Sequence, residues 1–364
     1  MNAAIARRRL HNQCITRAGL RQPADVIGWM GAVQAQEYAA AKWALGLRLQ
    51  DGAVDVEIER AFEEGRFLRT HLMRPTWHFV TPMDIRWLTE LTAPRVHRVL
   101  SSYNRTLELD AALLVRGTAV LERALRDRHY LTRNELGECL RHAGLTLDGV
   151  RLARLMMYAE LEGVVCSGPR RGKQFTYALV AERAPEALRL SRDEALATLS
   201  RRYFGSHGPA TIRDFVWWSG LTTADARRGL DMNKAGREQV GNRTYWTIGP
   251  TPRGATRDCL VHLLPIYDEY LVAYRDREAV PHGPSVIGSG SGNPVNFQHA
   301  LVIAGQVAGT WRTTRRSAAV LMDTVPLRRL TGPERRALGE AVHRYERFLG
   351  VPTELSIMAL SPSV

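Results

Sequence analysis

The stretch from residue 118 to 180 constrains the fold of this chain more than any other. Helical patterns there are followed by two strand-like runs that meet at a basic turn, residues 168–173. Thr132 and Glu135 form a capping box before a short helix that ends near Gly144. The other elements are helices over Val120–Arg126 and Val150–Leu161, and strands over Val164–Ser167 and Gln174–Leu179. Three helices followed by a basic-tipped hairpin predict a winged helix.

The same order of elements recurs on both sides of this unit. After residue 187, capped helices precede two strands; the caps are Ser191, Thr211 and Thr222, and the strands are Glu238–Val240 and Tyr245–Ile248. Before residue 108, helical patterns reach Gly65, and strand-like runs then flank Arg74–Pro75. Thr81–Pro82 should open a long helix, with Thr81 as its N-cap. We therefore expect three winged-helix units in tandem.

The last hundred residues have a different pattern, rich in short strands. Pro250–Gly254 is typical of a linker, and Gly288–Gly292 is typical of a flexible loop. The predicted strands are Leu260–Leu264, Tyr270–Tyr274, Ala300–Ile303, Val307–Trp311 and Ala319–Thr324, and a last helix runs from Thr331 to about Phe348. The predicted fold class is α+β. The predicted units are 1–108, which would hold the candidate catalytic motif, two further winged helices at 109–186 and 187–250, and a small β-rich domain at 255–364.

The chain carries a formal net charge of +13, with three lysines against 47 arginines. A GC-rich genome would explain the preference for arginine, but it would not explain the excess of positive charge. That excess favours a polyanionic partner, either nucleic acid or a membrane surface. No apolar run is long enough to span a bilayer, and no signal peptide is evident, so we expect a cytoplasmic, nucleoid-associated protein.

Several basic positions are candidates for contact with DNA. A wing tip places charge on the DNA backbone, and the tip of the 164–179 hairpin carries Arg170, Arg171 and Lys173. A second cluster follows a predicted strand, and two histidines occupy the first hairpin; these residues are Arg312, Arg315, Arg316, His71 and His78. The alternative interpretation is that the arginines are solvated charges and that the histidines are structural.

Metal, disulfide and cofactor sites are not indicated. The four cysteines are scattered without a C-x-x-C spacing, and the eleven histidines form no metal-binding pattern. We expect no metal and no cofactor, and free thiols in a reducing cytosol. Asp268 and Glu269 form a carboxylate pair, for which we expect a structural role, and Trp217 and Trp218 should anchor a core.

The segment Gln34–Ala35–Gln36 is ambiguous by spacing alone. On an ideal helix, two residues two positions apart point about 200° apart. They would converge only if the backbone is extended or the helix has already ended, and the apolar stripe does stop at Val33. Without further information, two surface amides would be the default interpretation.

The chain resembles the AlkZ family of winged-helix DNA glycosylases, which remove bulky alkylated purines and unhook interstrand crosslinks. The segments that carry the resemblance are Val33–Trp43, Arg69–Val80, Gly208–Thr222, Leu264–Leu271 and Gly309–Arg312. The first contains the family's Gln–apolar–Gln motif, so the resemblance implies that Gln34 and Gln36 are the catalytic pair. A related branch has Asp in place of the second Gln. Because this chain has Gln36 at that position, it resembles the branch of crosslink repair and self-resistance more closely.

The resemblance also implies a concave, positive surface that encircles duplex DNA. The expected activity is hydrolysis of the N-glycosidic bond of bulky N7-alkylated purines and crosslinks, with a water positioned by the two glutamines. A lyase would need an amine nucleophile. Lys42 is the lysine near the motif and is expected to face phosphate or solvent, so a monofunctional enzyme is favoured. The expected partner is double-stranded DNA carrying alkylated or crosslinked purines, without a membrane, and the expected state is a monomer.

A competing hypothesis is a winged-helix transcription regulator without catalysis. Element order and charge fit both functions. Base release from alkylated duplex DNA would separate them. Self-resistance to a DNA-alkylating natural product is a further expectation from the resemblance.

Overall fold

A computed structural model describes residues 2–16, 19–50, 53–249, 261–276, 279–280 and 298–358. The predicted linker 250–254 and the glycine-rich loop 288–292 lie outside the described residues. The mixed helix-and-sheet class that the sequence predicts is confirmed. No helix in the described ranges combines the length and apolar character needed to cross a bilayer.

The N-terminal unit consists of helices around a small sheet. Its elements are α1 (Asn2–Asn12), α2 (Pro23–Met30), β1 (Val33–Gln34), α3 (Tyr38–Gly46), α4 (Asp55–Glu63), β2 (Leu68–Leu72), β3 (Thr76–Val80) and α5 (Ile85–Thr106). The strands are ordered β1-β3-β2 and all pairs are antiparallel. The predicted hairpin around Arg74–Pro75 is confirmed as β2 and β3. The strand β1 joins its edge, with Gln34 opposite His78.

The long helix α5 starts later than the sequence predicts. Thr81 and Pro82 lie before it, residues 82–84 form a turn, and Asp84 is the N-cap. The Asp84 carboxylate accepts hydrogen bonds from Thr81 and Arg202, and the second of these partners is distant in sequence. This contact fixes the start of the helix at Ile85, which local sequence could not reveal.

The second unit has the predicted order of elements. It consists of α6 (Ala111–Leu125), β4 (Leu131–Thr132), α7 (Arg133–His142), α8 (Gly149–Leu161), β5 (Val165–Ser167), β6 (Thr176–Leu179) and α9 (Val180–Arg183). The capping box at Thr132 and Glu135 is confirmed, since each residue bonds the backbone N–H of the other. Buried residues from 109 to 179 form a hydrophobic cluster within this unit.

The third unit also has the predicted order. It consists of α10 (Arg192–Ser206), α11 (Ile212–Ser219), α12 (Thr223–Met232), β7 (Gly236–Val240) and β8 (Arg243–Thr247). The capping boxes at Ser191, Thr211 and Thr222 are all formed. Its hydrophobic cluster continues into the N-terminal unit through residues 68–91 and into residues 273–274, so these parts pack as one body.

The C-terminal part is a sheet covered by a helix. Its elements are β9 (Val261–Leu264), α13 (Glu269–Val272), β10 (Ala300–Ile303), β11 (Gln306–Arg315), β12 (Val320–Pro326), α14 (Gly332–Leu349) and β13 (Thr353–Ile357). The strand order is β13-β12-β11-β10-β9. The prediction of a strand over Tyr270–Tyr274 is wrong, because the Asp268 carboxylate accepts the Tyr270 N–H and starts the short helix α13 instead.

This sheet shares its core with the N-terminal helices. The indole ring of Trp43 packs against Tyr345 and Phe348 of α14, with ring centroids 4.9 and 5.0 Å apart, and its N–H donates to the Leu263 carbonyl. Buried residues of α1–α4 and of β9–β12 form one hydrophobic cluster. As a result, segment 33–36 is enclosed by parts of the chain that are more than 200 residues apart.

Candidate active site

Helix α2 has ended before the glutamine motif begins, which is one of the two conditions for convergence of the two side chains. Helix α2 ends at Met30, and Gln34 lies on β1. The Ala35 N–H donates to the Trp77 carbonyl at 2.7 Å on one edge of the segment. The Gln34 N–H points the other way and donates to Glu269 Oε1 at 2.7 Å. Both edges of the segment are therefore fixed.

Gln34, a residue that is only 8% exposed, contacts an arginine of the β2–β3 turn through its side chain. Its Oε1 accepts a hydrogen bond from Arg74 Nη2 at 2.9 Å. Arg74 Nη1 donates to the Trp217 carbonyl at 3.3 Å, and its guanidinium lies 5.5 Å from the centre of the Trp217 ring. Burial lowers the pKa of Arg74, and the charge of Glu269 opposes that effect.

The Gln36 side chain is less constrained. It is half-buried, and its Oε1 accepts the Trp77 N–H at 3.4 Å, near the outer limit for a hydrogen bond. Both glutamine oxygens thus face groups of the β2–β3 hairpin, one near the turn and one on β3.

Glu269 is a buried carboxylate that joins the glutamine motif to Trp218 of the third unit. Its carboxylate is fully buried, accepts the Trp218 indole N–H at 2.9 Å as well as the Gln34 N–H, and lies 3.4 Å from His207. Burial raises its pKa, but His207 and the Gln34 N–H outweigh that effect, so the pKa is lowered. Asp268 has the expected structural role in a buried ion pair with Arg48, whereas Glu269 also contacts the motif.

Arg69 is a second charged residue near the motif that sequence reasoning missed. Its Nε–H donates to the Ala35 carbonyl at 3.0 Å. Its guanidinium lies 4.1 Å from the ring centre of Trp77 and 4.6 Å from that of Phe175. Burial lowers the pKa of Arg69 to about 10. The available signal was an arginine in a strand-like run of otherwise mainly apolar residues.

The expectation that Lys42 faces phosphate or solvent is wrong. Its side chain is buried, and its ammonium contacts Asp55 at 2.9 Å and Glu59 at 2.6 Å. These acidic residues lie on α4, which packs beside α3, so the helix pair determines the position of Lys42. The Lys42 amine is therefore held by the carboxylates of Asp55 and Glu59.

The histidines of the first hairpin are buried, which corrects the expectation that they line a DNA groove. His71 contacts Glu160 of the second unit, and its ring centre lies 4.3 Å from that of Trp77. His78 is 0% exposed, and burial lowers its pKa to about 4. Neither side chain presents a surface to a phosphate, because the hairpin is covered by neighbouring units.

The wing-tip residues differ in exposure. Arg170 is half-buried, bonded to Glu59 at 3.3 Å and packed against Tyr38. Arg171 is exposed and pairs with Glu135 at 2.7 Å. Lys173 is exposed as well, and no described residue pairs with it.

The second basic cluster lies at the end of β11 and beyond it, and its three arginines are exposed. Arg312 contacts Asp323 at 3.1 Å, and Arg316 lies 3.6 Å from Glu354. Arg315 has no ion-pair partner within the described ranges. Across the part of the chain that the structure describes, no group of three or more His, Cys, Asp or Glu could hold a metal ion.

Comparisons with known proteins identify the family of this chain. A family model described as DNA glycosylase AlkZ-like matches residues 27–348. An interstrand DNA cross-link repair glycosylase of Streptomyces sahachiroi is 27% identical over an alignment of 310 residues that covers 79% of this chain and 81% of that protein. The solved structure of Streptomyces sahachiroi DNA glycosylase AlkZ shares the fold, with a TM-score of 0.80 at 23% identity over 98% of this chain and 99% of that one. Since the family model spans most of its length, this chain belongs to the AlkZ-like DNA glycosylase family.

Proposed function

We propose that this glycosylase hydrolyses the N-glycosidic bond of bulky N7-alkylated purines and unhooks interstrand crosslinks, with Gln34 and Gln36 as its catalytic pair. The crosslink repair named for the Streptomyces sahachiroi relative supports this substrate class. The observation that carries the proposal is the segment 33–36, a strand over Val33–Gln34 with a bend at Gln36, whose two side-chain amides both contact the β2–β3 hairpin. Membership of a glycosylase family favours catalysis over a purely regulatory role.

The proposed reaction needs little basicity from the protein. Alkylation at N7 makes the purine cationic, so the C1′–N9 bond breaks with its electron pair going to the departing base. The sugar becomes oxocarbenium-like, a water adds to C1′, and the water's proton passes to solvent. Neutral amides can hold that water, because a carbonyl accepts its hydrogen while the amide group remains uncharged. The contribution of the protein is orientation and fixed dipoles.

We propose a monofunctional enzyme. A lyase would form a Schiff base through a free amine. Lys42, the lysine near the motif, is engaged by Asp55 and Glu59. The product should therefore be an abasic site in an intact strand.

We further propose that the exposed basic groups hold the DNA backbone. The exposed candidates are Arg171 and Lys173 at the wing tip, and Arg312, Arg315 and Arg316 at the end of β11 and just after it. Arg170 is half-buried against Tyr38 and bonded to Glu59. Contacts with the DNA backbone give affinity without sequence preference, which suits a search for damage. A monomer would suffice, and self-resistance to an alkylating natural product is the biological role that we propose.

The test is product analysis on defined duplexes. One duplex carries a bulky N7-alkylguanine, a second carries an interstrand crosslink, and a third is undamaged. We expect release of the modified base and unhooking of the crosslink, with strand cleavage only after hot alkali. Equal release of bases from the undamaged duplex would reject the proposed substrate class.

A further inference from the structure

The contact between Arg74 and Gln34 determines which end of the Gln34 amide is free. A guanidinium has five N–H donors and no acceptor. The Gln34 atom 2.9 Å from Arg74 Nη2 must therefore be the carbonyl oxygen, whatever the ambiguity of amide orientation elsewhere. The amide nitrogen then points away from Arg74, and none of the described residues accepts a hydrogen bond from it.

Arg74 is itself held in place without a neutralising carboxylate. Its two terminal nitrogens donate to neutral oxygens, those of Gln34 and the Trp217 backbone, and its guanidinium packs near the Trp217 ring. Within the described ranges Arg74 forms no direct ion pair, and the charge of buried Glu269 acts on it only from a longer distance. A cation bonded to an amide oxygen draws electrons from that amide, which strengthens the N–H groups as donors and weakens the oxygen as an acceptor.

Gln36 has the complementary arrangement. Its oxygen receives only the long 3.4 Å contact from the Trp77 N–H, so the oxygen keeps its capacity to accept. The two glutamines, although identical in type, are in different hydrogen-bonding environments. The Gln34 oxygen accepts from a charged guanidinium, and the Gln36 oxygen accepts from a neutral backbone N–H.

We propose that Arg74 is a positioning residue that turns the Gln34 amide nitrogen towards an oxygen of the damaged nucleotide, which leaves Gln36 to accept the hydrogen of the attacking water. This inference rests on the proposed function, because it assigns roles within the same site. It predicts that Arg74 contributes to the rate through Gln34, and not through its own contact with DNA.

The test is a double-substitution cycle measured under single-turnover conditions. Arg74→Met removes both donors with little change in length, and Arg74→Lys keeps the charge without the fork. We expect Arg74→Met to lower the rate constant of base release about 10- to 100-fold, the range for one charge-assisted hydrogen bond, with DNA affinity within about threefold. We expect Arg74→Lys to recover part of this loss.

The diagnostic result is non-additivity. Added to Gln34→Ala, Arg74→Met should cause little further loss, because the group on which it acts is already absent. The matched control is Arg95→Met, which removes another half-buried arginine that donates to a backbone carbonyl, that of Gly220, and should leave the rate unchanged.

Glutamate substitutions supply a second readout that does not depend on Arg74 variants folding well. Gln36→Glu keeps an acceptor, so we expect at least a tenth of the wild-type rate. Its pH profile should gain an acidic limb with a pKa of about 4, that of the new carboxyl group. Gln34→Glu removes the donor and pairs with Arg74, so we expect a loss of about 100-fold or more. Additive losses in the cycle, or the reverse ranking of the two glutamate variants, would overturn the role of Arg74. Absence of base release by the wild type would reject the proposed function and this inference with it.

Discussion

Replacement of Glu269 tests how the site is held together. Its buried carboxylate accepts two hydrogen bonds, from the Gln34 N–H at 2.7 Å and the Trp218 indole at 2.9 Å. A hydrogen bond to a charged group contributes about 1.5–3 kcal/mol, and a buried donor without a partner costs about 1–3 kcal/mol. We therefore predict that Glu269→Ala lowers the free energy of unfolding by about 3–5 kcal/mol. Glu269→Gln keeps one acceptor oxygen and should cost about 1–3 kcal/mol.

The assay combines urea unfolding with single-turnover base release under native conditions. Strand β1 is only two residues long and otherwise depends on its pairing with β3, so loss of the Glu269 contact should also slow base release. Glu334→Ala is the control, because it removes a helix capping box on α14, which should lower stability and leave the rate of the folded fraction unchanged. A Glu269→Ala protein with a free energy of unfolding within about 0.5 kcal/mol of wild type would refute this reasoning.

Three further predictions concern stability, DNA affinity and chemistry. His78 and His262, the second a buried residue of β9, have pKa values lowered to about 4 by burial, so the unfolded chain binds protons more readily at these histidines. The free energy of unfolding, measured with urea, should therefore fall by about 3 kcal/mol for each histidine as the pH drops from 7 towards 4. Arg171→Ala and Lys173→Ala should each weaken DNA binding and reduce the slope of log K against log salt by about one, as measured by anisotropy titration. Borohydride should trap no covalent complex with DNA, since Lys42 is engaged by two carboxylates.

Each of these predictions has an opposing outcome. Stability that is constant from pH 7 to 4 would contradict the burial of the two histidines. Arg336, exposed on α14 and outside both basic clusters, is the control for the salt titrations, and equal effects of Arg336→Ala would remove any special role for the tip. A trapped complex that disappears in Lys42→Ala would establish lyase chemistry.

Local chemistry made much of the fold predictable. The capping boxes at Thr132 and Ser191 are contacts between residues three positions apart, so their sequence signal is complete in itself. The hairpin around Arg74–Pro75 is likewise a short-range feature. The prediction for the start of α5 is wrong because a distant residue, Arg202, bonds the Asp84 N-cap. The strand predicted at Tyr270 is wrong because the neighbouring Asp268 side chain caps a helix there, which the apolar pattern alone did not indicate.

The candidate site was only partly predictable for the same reason. The family resemblance singled out Gln34 and Gln36, and spacing alone would have left them as surface amides. Glu269 lies 235 residues from the backbone N–H that it accepts, and Arg74 lies 40 residues from its glutamine. No periodicity encodes such pairs, so only the folded arrangement identifies them.

We propose that two neutral amides, those of Gln34 and Gln36, carry the catalysis. The most direct measurement is single-turnover release of a bulky N7-alkylguanine by wild type, Gln34→Ala, Gln36→Ala and the exposed control Gln50→Ala, with DNA affinity measured in parallel. We predict that each motif variant loses about 100-fold or more in rate while it still binds DNA, and that the control matches wild type. Motif variants that release the base at the wild-type rate would contradict the claim.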